Sequence, residues 1–146
     1  MTPDAAFEVR QVESPAAEAV LRLYRAAGWW GEADDDARVA ALVGGSACFA
    51  GAFAGGEMIG MARVLSDGVS DAYVQDVVVL PDRRGRGVAT ALVAFLRDWC
   101  LDRGIAWIGL VAQPGTRALY ERLGFREMEG HVPLRWRADA PGEVGP

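Results

Sequence analysis

The segment from Val77 to Thr90 holds the densest group of residues that could bind an anionic ligand. It joins the apolar run Val77-Val78-Val79 to the turn Arg84-Gly85-Arg86-Gly87, and a helical pattern starts at Val88. A strand that passes through a glycine turn into a helix directs unpaired backbone N–H groups and the positive helix end toward one point. Glycines let the backbone approach a ligand closely, and the arginines raise the local positive potential. The sequence therefore predicts a phosphate-binding turn.

Several kinds of phosphate-binding turn share this outline, and the sequence separates them in part. A Walker A loop is excluded because the chain has no Gly-x-x-x-x-Gly-Lys and no lysine at all. A dinucleotide-binding turn needs a glycine where Thr90 stands, and an acidic residue near the end of the next strand, where residues 107–111 offer none. A coenzyme A pyrophosphate loop of the form Arg/Gln-x-x-Gly-x-Gly/Ala fits Arg84, Gly87 and Ala89. A surface turn with solvated arginines is the alternative without a ligand.

Few other residues of the chain could carry catalysis. His131 is the single histidine, and Cys48 and Cys100 are the only cysteines. This supply does not support a zinc site, a Ser-His-Asp triad or a disulfide framework, and the absence of lysine removes Schiff-base chemistry. We expect no metal, and we interpret the cysteines as core residues and His131 as an exposed strand residue.

The composition predicts one soluble domain. Of the 146 residues, 51% are hydrophobic and 24% are charged, which is typical of a globular chain that buries a core. The net charge of −5, without a long basic stripe, argues against a nucleic-acid partner. We expect no membrane partner and a cytoplasmic protein, because the chain has no long apolar run and its first residues lack the pattern of a signal peptide. Residues 1–137 are predicted to form the domain, and residues 138–146 a disordered tail.

Hydrophobic periodicity predicts the element order β-α-α-β-β-β-α-β-α-β-β, which is a mixed sheet flanked by helices, in the α/β (α+β) class. Strands are predicted at residues 7–12, 47–54, 57–64, 72–80 and 105–111, with two more between 125 and 136. Helices are predicted at residues 15–27, from about 34 to 44, 88–103 and 116–123.

Two motifs resemble the signatures of the GNAT superfamily of N-acetyltransferases. The turn from Arg84 to Thr90 is similar to its acetyl-CoA motif, and residues 118–125 (A-L-Y-E-R-L-G-F) are similar to its second signature, a helix with a tyrosine that runs into Gly-Phe. The resemblance extends from about Tyr24 to Trp136. It implies the acyl-CoA N-acyltransferase fold, with a mixed, mostly antiparallel central sheet. Four segments resemble a subgroup that includes plant and cyanobacterial serotonin N-acetyltransferases: Gly28-Trp29, Ile59–Arg63, Ser66–Gly68 and Asp76–Val79.

The resemblance implies direct acetyl transfer from acetyl-CoA to a primary amine, with Tyr120 as the proton donor to the CoA thiolate. Asp76 is a candidate proton acceptor for the amine; Asp67 is another, although its surroundings are more typical of a turn. Gln113 stands seven residues before Tyr120, where many relatives have Asn. The residues that the resemblance assigns to acetyl-CoA are Val77, Val78, Val79, Arg84, Gly85, Arg86, Gly87, Val88, Ala89, Thr90 and Gln113.

The resemblance implies that acceptor selection falls to the first two helices, their connecting loop and the last strands, and the connecting loop carries aromatic and acidic residues. Trp29, Trp30 and Glu32 would suit a cationic aryl or alkyl amine, because aromatic faces and carboxylates attract cations. The alternative is that Trp29 packs in the core and the acidic residues 34–36 only begin a helix. We expect a small-molecule amine; a peptide acceptor and a non-catalytic acyl-CoA-binding module are the alternatives. The resemblance also implies a homodimer.

Overall fold

A computed structural model describes residues 6–138 of the chain, and residues 139–146 of the predicted tail lie outside the described residues. The strands are β1 (Glu8–Gln11), β2 (Cys48–Ala54), β3 (Glu57–Ser66), β4 (Asp71–Val79) and β5 (Trp107–Gly109). The helices are α1 (Ala17–Ala26), α2 (Asp36–Gly44), α3 (Val88–Leu101) and α4 (Arg117–Arg122). Within residues 6–138, no helix is both long and apolar enough to cross a membrane.

The five strands form one sheet in the order β1-β2-β3-β4-β5. Strands β1 to β4 pair antiparallel with their neighbours, whereas β5 pairs parallel with β4. A parallel neighbour requires a crossover, and α3 supplies it between β4 and β5. The predicted mixed, mostly antiparallel sheet with flanking helices is therefore confirmed.

Helices cover both faces of the sheet. A Cβ atom placed on Gly60 of β3 would lie only 3.1–3.2 Å from Val88 and Leu92, so α3 packs directly on that face. Side chains alternate along a strand, so Arg63 points to the opposite face. There its guanidinium lies 3.4 Å from Ser46 Oγ, just after α2. The sheet is thus buried between α3 on one side and the α1–α2 pair on the other.

The C-terminal part of the sheet differs from the prediction. The strand expected at residues 105–111 is reduced to β5, and the two strands expected between 125 and 136 do not form in the described chain. The alternating apolar residues Val132, Leu134 and Trp136 are 72%, 90% and 84% exposed. The prediction was wrong because alternation specifies a strand only where a neighbouring edge supplies hydrogen bonds, and β5 offers an edge of three residues.

Candidate active site

Strands β4 and β5 separate soon after they pair, and the gap between them forms a cleft. The pairing joins Asp71–Tyr73 to Trp107–Gly109 and ends there. Beyond that point the segments that continue from the two strands enclose a cavity of about 520 Å³. We call it the β4–β5 cleft; its lining residues are Trp29, Tyr73, Val74, Gln75, Asp76, Val77, Leu110, Val111, Gln113, Tyr120, Pro133, Leu134 and Arg135.

The wall of this cleft contains a β-bulge in β4. The pairing of β3 with β4 advances from Met61–Val78 to Arg63–Gln75, so Asp76 and Val77 together lie opposite Ala62. Asp76 adopts a φ of 56°, in the left-handed region. That conformation costs a non-glycine residue about 1–3 kcal/mol, although Asp tolerates it better than most. The bulge takes two residues out of the regular ladder where β4 borders the cleft.

The Asp76 carboxylate is held by two donors from other elements. Tyr24 on α1 donates its hydroxyl hydrogen to Oδ2 at 2.6 Å, and Arg63 Nε donates to the same oxygen at 2.8 Å. The Arg63 and Asp76 side chains are only 14% and 19% exposed, so solvent screens this ion pair weakly. Burial, and then the hydrogen bond to Asp76, hold the pKa of the Tyr24 phenol far above its usual range. Tyr24 therefore remains a donor at any working pH.

Tyr120 enters the same cleft from the short helix α4. Its ring meets Phe125 edge to face, with 6.0 Å between the centroids and 84° between the planes. The Phe125 N–H donates to the Tyr120 carbonyl at 3.1 Å, which fixes the turn that follows the helix. Burial raises the pKa of the phenol. Tyr120 is therefore a protonated phenol in a position to donate a hydrogen into the cleft.

The glycine turn leads from the end of β4 into α3. Gly85 and Gly87 have φ values of 77° and 82°, and a Cβ added at either would meet open space. Gly87 is the N-cap residue of α3, and no side chain caps the first turn of this helix. The leading N–H groups of α3 therefore have no side-chain cap, and uncapped helix N-termini are common binding places for anions. The Arg84 Nε donates to the Val79 carbonyl at 3.1 Å, so this side chain braces the turn against β4.

The other residues predicted to bind the cofactor differ in whether their side chains are accessible. Val78, Val79 and Val88 are 5%, 8% and 2% exposed, so their side chains belong to the core and only their backbone could meet a ligand. Ala89 and Thr90 lie half-buried in the first turn of α3. Arg86 is exposed in the glycine turn, and Gln113 lines the cleft.

Of the residues predicted to bind the acceptor, the structure brings one to the cleft. Trp29 lines it and is 42% exposed. Trp30 instead stacks on Tyr24, with 3.9 Å between ring centroids and 7° between planes, and Arg38 covers its ring at 4.6 Å. Glu32 is exposed and is not part of the cleft lining.

Three further residues discussed from the sequence are not part of the cleft lining: Asp67, Cys48 and His131. Asp67 accepts from the N–H groups of Val69 and Ser70 at 2.8 Å each, and these bonds lower the pKa of its carboxyl, as expected of a turn residue. Burial raises the pKa of Cys48 to about 11, which leaves it an inert thiol in the core. His131 is exposed. Among residues 6–138, no group of three or more His, Cys, Asp or Glu is placed to hold a metal ion.

The sequence that forms this cleft, bulge and glycine turn matches the model of a known protein family. The model of the acetyltransferase (GNAT) family matches residues 7–125, which is most of the chain. This chain belongs to the GNAT acetyltransferase family. The resemblance carried by the two sequence motifs is thereby confirmed.

Relatives of this GNAT chain include plant enzymes. It is 38% identical over 81 residues to GCN5-related N-acetyltransferase 2, chloroplastic, of Arabidopsis thaliana, covering 55% of this chain and 31% of that protein. It is 37% identical over 70 residues to serotonin N-acetyltransferase 2, chloroplastic, of Oryza sativa subsp. japonica, covering 48% of this chain and 35% of that protein. The match thus spans about a third of the length of each of these relatives.

Solved structures share the fold of this GNAT chain. A protein from meticillin-resistant Staphylococcus aureus has a TM-score of 0.77 at 18% identity, covering 91% of this chain and 99% of that chain. AAC(6')-Iy, solved with the bisubstrate analog CoA-S-monomethyl-acetylneamine, has a TM-score of 0.70 at 24% identity, with coverages of 91% and 99%. At these identities the likeness shows a common fold alone.

Sequence reasoning missed Tyr24 and Arg63 as members of the site. Tyr24 lies 52 residues from Asp76 in the sequence, and no local pattern joins them. Arg63 did carry a signal, because it is a charged residue within the apolar run Met61 to Leu65 of a central strand. A charge in such a position requires a partner, since an unpaired buried charge is costly.

Proposed function

We propose that this GNAT chain transfers the acetyl group of acetyl-CoA directly to a primary amine. The observation that carries the proposal is the early separation of β4 from β5. It places the unpaired backbone of the β4 bulge and the phenol of Tyr120 around one cavity. Strand β4 then leads from this cavity into the uncapped N-terminus of α3. A ligand that is polyanionic at one end and reactive at the other fits this succession of groups.

The residues present fit acetyl-CoA. The turn from Arg84 to Thr90 would hold its pyrophosphate through main-chain N–H groups, because Gly85 and Gly87 keep the approach open. The backbone from Val77 to Val79 would lie along the pantetheine arm, and Gln113 on the opposite wall would contact it. Bound there, acetyl-CoA supplies an activated acetyl group, whose carbon bonds to the amine nitrogen as the carbon–sulfur bond breaks and CoA leaves as a thiolate.

Tyr120 is the group that we assign to the proton of the departing thiolate. A buried phenol with a raised pKa stays protonated in the neutral range and can donate a hydrogen bond to the sulfur as negative charge develops there. Because a thiol is a stronger acid than a phenol, transfer of the proton is uphill by itself, and it is completed when the phenoxide takes up the proton that the amine loses. Backbone N–H groups of the β4 bulge would stabilise negative charge on the carbonyl oxygen.

For the acceptor we propose a small arylalkylamine. Trp29 offers a partly exposed aromatic face in the wall of the cleft, and such a face attracts both a flat ring and an ammonium group. The rice relative is named serotonin N-acetyltransferase 2, and serotonin is an arylalkylamine. The sequence predicts Asp76 as a proton acceptor for this amine, and substitution of Asp76 distinguishes that role from one in which its carboxylate only anchors the bulge. The cytoplasmic location likewise stays a prediction.

The proposed reaction is tested by acetyl-CoA-dependent release of free thiol against a panel of amines. The panel contains arylalkylamines, polyamines, an aminoglycoside, amino acids and a lysine peptide, and acetyl-CoA binding is measured by calorimetry in parallel. Turnover of arylalkylamines alone supports the full proposal. Turnover of the peptide alone would move the acceptor to a protein, and binding of acetyl-CoA without turnover of any amine would indicate a non-catalytic module.

We also propose a homodimer, which rests on the family resemblance. Sedimentation velocity at micromolar concentration measures this directly. A species of twice the 15.6 kDa chain mass is expected. A monomer across a hundredfold range of concentration would overturn the proposal.

A further inference from the structure

Asp76 is the one non-glycine residue with a positive φ in the described chain. Its position is the β4 bulge, where it and Val77 share a single partner residue on β3. A left-handed conformation persists in a strand only when the surrounding contacts enforce it. Specific contacts must therefore hold Asp76 in this conformation.

The contacts come from the side chains of Tyr24 and Arg63. We call these two residues, together with Asp76, the Asp76 clamp. Tyr24 and Arg63 donate to the same carboxylate oxygen, at 2.6 and 2.8 Å. Tyr24 stays protonated at neutral pH because burial and the hydrogen bond to Asp76 raise its pKa. Both donors belong to elements packed against β4 rather than to β4 itself. The carboxylate is thus an anchor point that ties the bulge to α1 and β3.

We propose, resting on the acetyltransfer proposed above, that Tyr24 and Arg63 are positioning residues for the reaction. By holding the carboxylate they keep Asp76 in the left-handed conformation, and so keep the backbone of Val77 out of the ladder and in the wall of the cleft. They touch neither the acetyl donor nor the amine. Their effect on the reaction passes through the backbone of the bulge.

The clamp also connects the bulge to the α1–α2 region. The ring of Tyr24 stacks on Trp30, next to Trp29 in the cleft wall, and Arg63 reaches Ser46 just after α2. The α1–α2 region that we assign to the acceptor therefore packs against the residues that hold the bulge. Trp30 acts in this arrangement as a support for Tyr24 rather than as a contact for the amine.

A positioning role for Asp76 and a general-base role predict different results for three substitutions. Asp76→Asn keeps an acceptor oxygen for the clamp and tolerates a positive φ, but it is not a base. Asp76→Gly loses the clamp yet adopts a positive φ without strain, whereas Asp76→Ala loses the clamp and is strained. Positioning therefore predicts a graded loss of kcat: about fivefold for Asn, tenfold for Gly and a hundredfold for Ala. A base predicts equal losses of about 10²- to 10⁴-fold for all three, with loss of the acidic limb of the pH profile.

The two other members of the clamp are tested by Tyr24→Phe and Arg63→Gln, with Arg22→Gln as the matched control. Arg22 pairs with Glu57 at 3.2 Å, away from the cleft. We expect kcat to fall about tenfold in the two clamp variants, with the acetyl-CoA KM changed less than threefold and the acidic limb of the pH profile unmoved. Wild-type kcat in both variants, or equal losses in the Asp76 series, would overturn the proposal.

A spectroscopic measurement tests the clamp even if the wild type acetylates no amine in the panel, an outcome that would refute only the proposed function. In protein labelled with ¹⁵N-valine, the amide signal of Val77 is expected to shift in Tyr24→Phe, Arg63→Gln and Asp76→Ala, and to stay near its wild-type position in Asp76→Asn. The amide of Val9 on β1, at the far edge of the sheet, is the internal reference. A Val77 signal that does not respond to the loss of Tyr24 or Arg63 contradicts the clamp.

Discussion

At the scale of single residues, the proposed reaction depends on the half-buried phenol of Tyr120. Tyr120 is half-buried against Phe125, and burial alone raises its pKa. Tyr24 is also a buried phenol, but its hydroxyl already donates to a carboxylate. The two tyrosines therefore have different assignments, proton donation for Tyr120 and backbone positioning for Tyr24, because their hydrogen-bond partners differ.

Tyr120→Phe removes the hydroxyl and keeps the ring that packs on Phe125. We expect kcat to fall about 10²- to 10³-fold, because a general acid contributes roughly that factor, while acetyl-CoA affinity changes less than threefold. Steady-state kinetics and calorimetry measure the two quantities. Tyr73→Phe is the matched variant. Tyr73 also lines the cleft, but at the point where β4 is still paired with β5, so the loss of its hydroxyl should reduce kcat far less. Full activity in Tyr120→Phe would remove this tyrosine from the mechanism.

The raised pKa of Tyr120 also predicts the alkaline side of the pH profile. The protonated phenol is the active form, so the contribution of Tyr120 is complete at neutral pH and is lost as pH rises through its pKa, whereas the acidic limb reports other groups. Because burial moves that pKa above the ordinary value of about 10, kcat should remain level beyond the range where an exposed tyrosine ionises. Measurement of kcat for the wild-type enzyme over a series of alkaline pH values locates this decline. A decline that is centred below the ordinary tyrosine value contradicts the assignment.

Sequence reasoning identified Tyr120 and Asp76 as candidates, but it did not find what holds Asp76. The first two stand in segments whose local pattern resembles family signatures. The clamp is formed by residues that are 13 and 52 positions from Asp76, and it exists only once α1 has packed on the sheet. The positive φ of Asp76 also depends on tertiary contacts, because no neighbouring glycine or turn residue between Val74 and Val79 predicts it.

At the scale of elements, the strand-turn-helix unit from β4 to α3 was predictable and the C-terminal strands were not. The run of apolar residues in β4, the two glycines and the amphipathic α3 each carry their own local signal. Val132, Leu134 and Trp136 carry a strand signal too, yet they are exposed, because the short β5 gives them no ladder to join. Strand formation depends on a partner, whereas a turn and a helix N-terminus form locally.

Gly87 is the element-scale test of the acetyl-CoA site, with Gly104 as its matched control. Both have a positive φ, 82° and 77°, and both lie in open space, one at each end of α3. Gly→Ala at either position should cost about 1–2 kcal/mol of unfolding free energy, because alanine is strained in the left-handed region. Only Gly87→Ala should also weaken acetyl-CoA binding, by about tenfold, since only Gly87 lies at the proposed pyrophosphate site.

Denaturant unfolding and calorimetric titration with acetyl-CoA separate these two effects. Equal acetyl-CoA affinity in the Gly87 and Gly104 variants would place the pyrophosphate away from the N-terminus of α3. A loss of affinity in both would mean that general destabilisation of α3, rather than a contact at its N-terminus, weakens binding.

At the scale of the whole molecule, one hydrophobic core includes residues from both faces of the sheet. Leu23 of α1, Met61 of β3 and Leu96 of α3 are fully buried members of the same cluster, on both sides of the sheet. The two faces of the sheet are therefore coupled through β3 and β4, the strands that carry the clamp and the bulge. Stability and site geometry share these residues.

Leu96→Ala tests this shared core, and Leu101→Ala on the same helix is its control. Leu96 is fully buried, whereas Leu101 is 51% exposed at the end of α3. Truncation of a buried leucine costs about 2–5 kcal/mol, because apolar contacts are lost and a cavity remains. For a domain of this size, the thermal midpoint should fall by about ten degrees in Leu96→Ala and by only a few degrees in Leu101→Ala. Circular dichroism measures both midpoints, and equal losses would show that α3 does not close the core at Leu96.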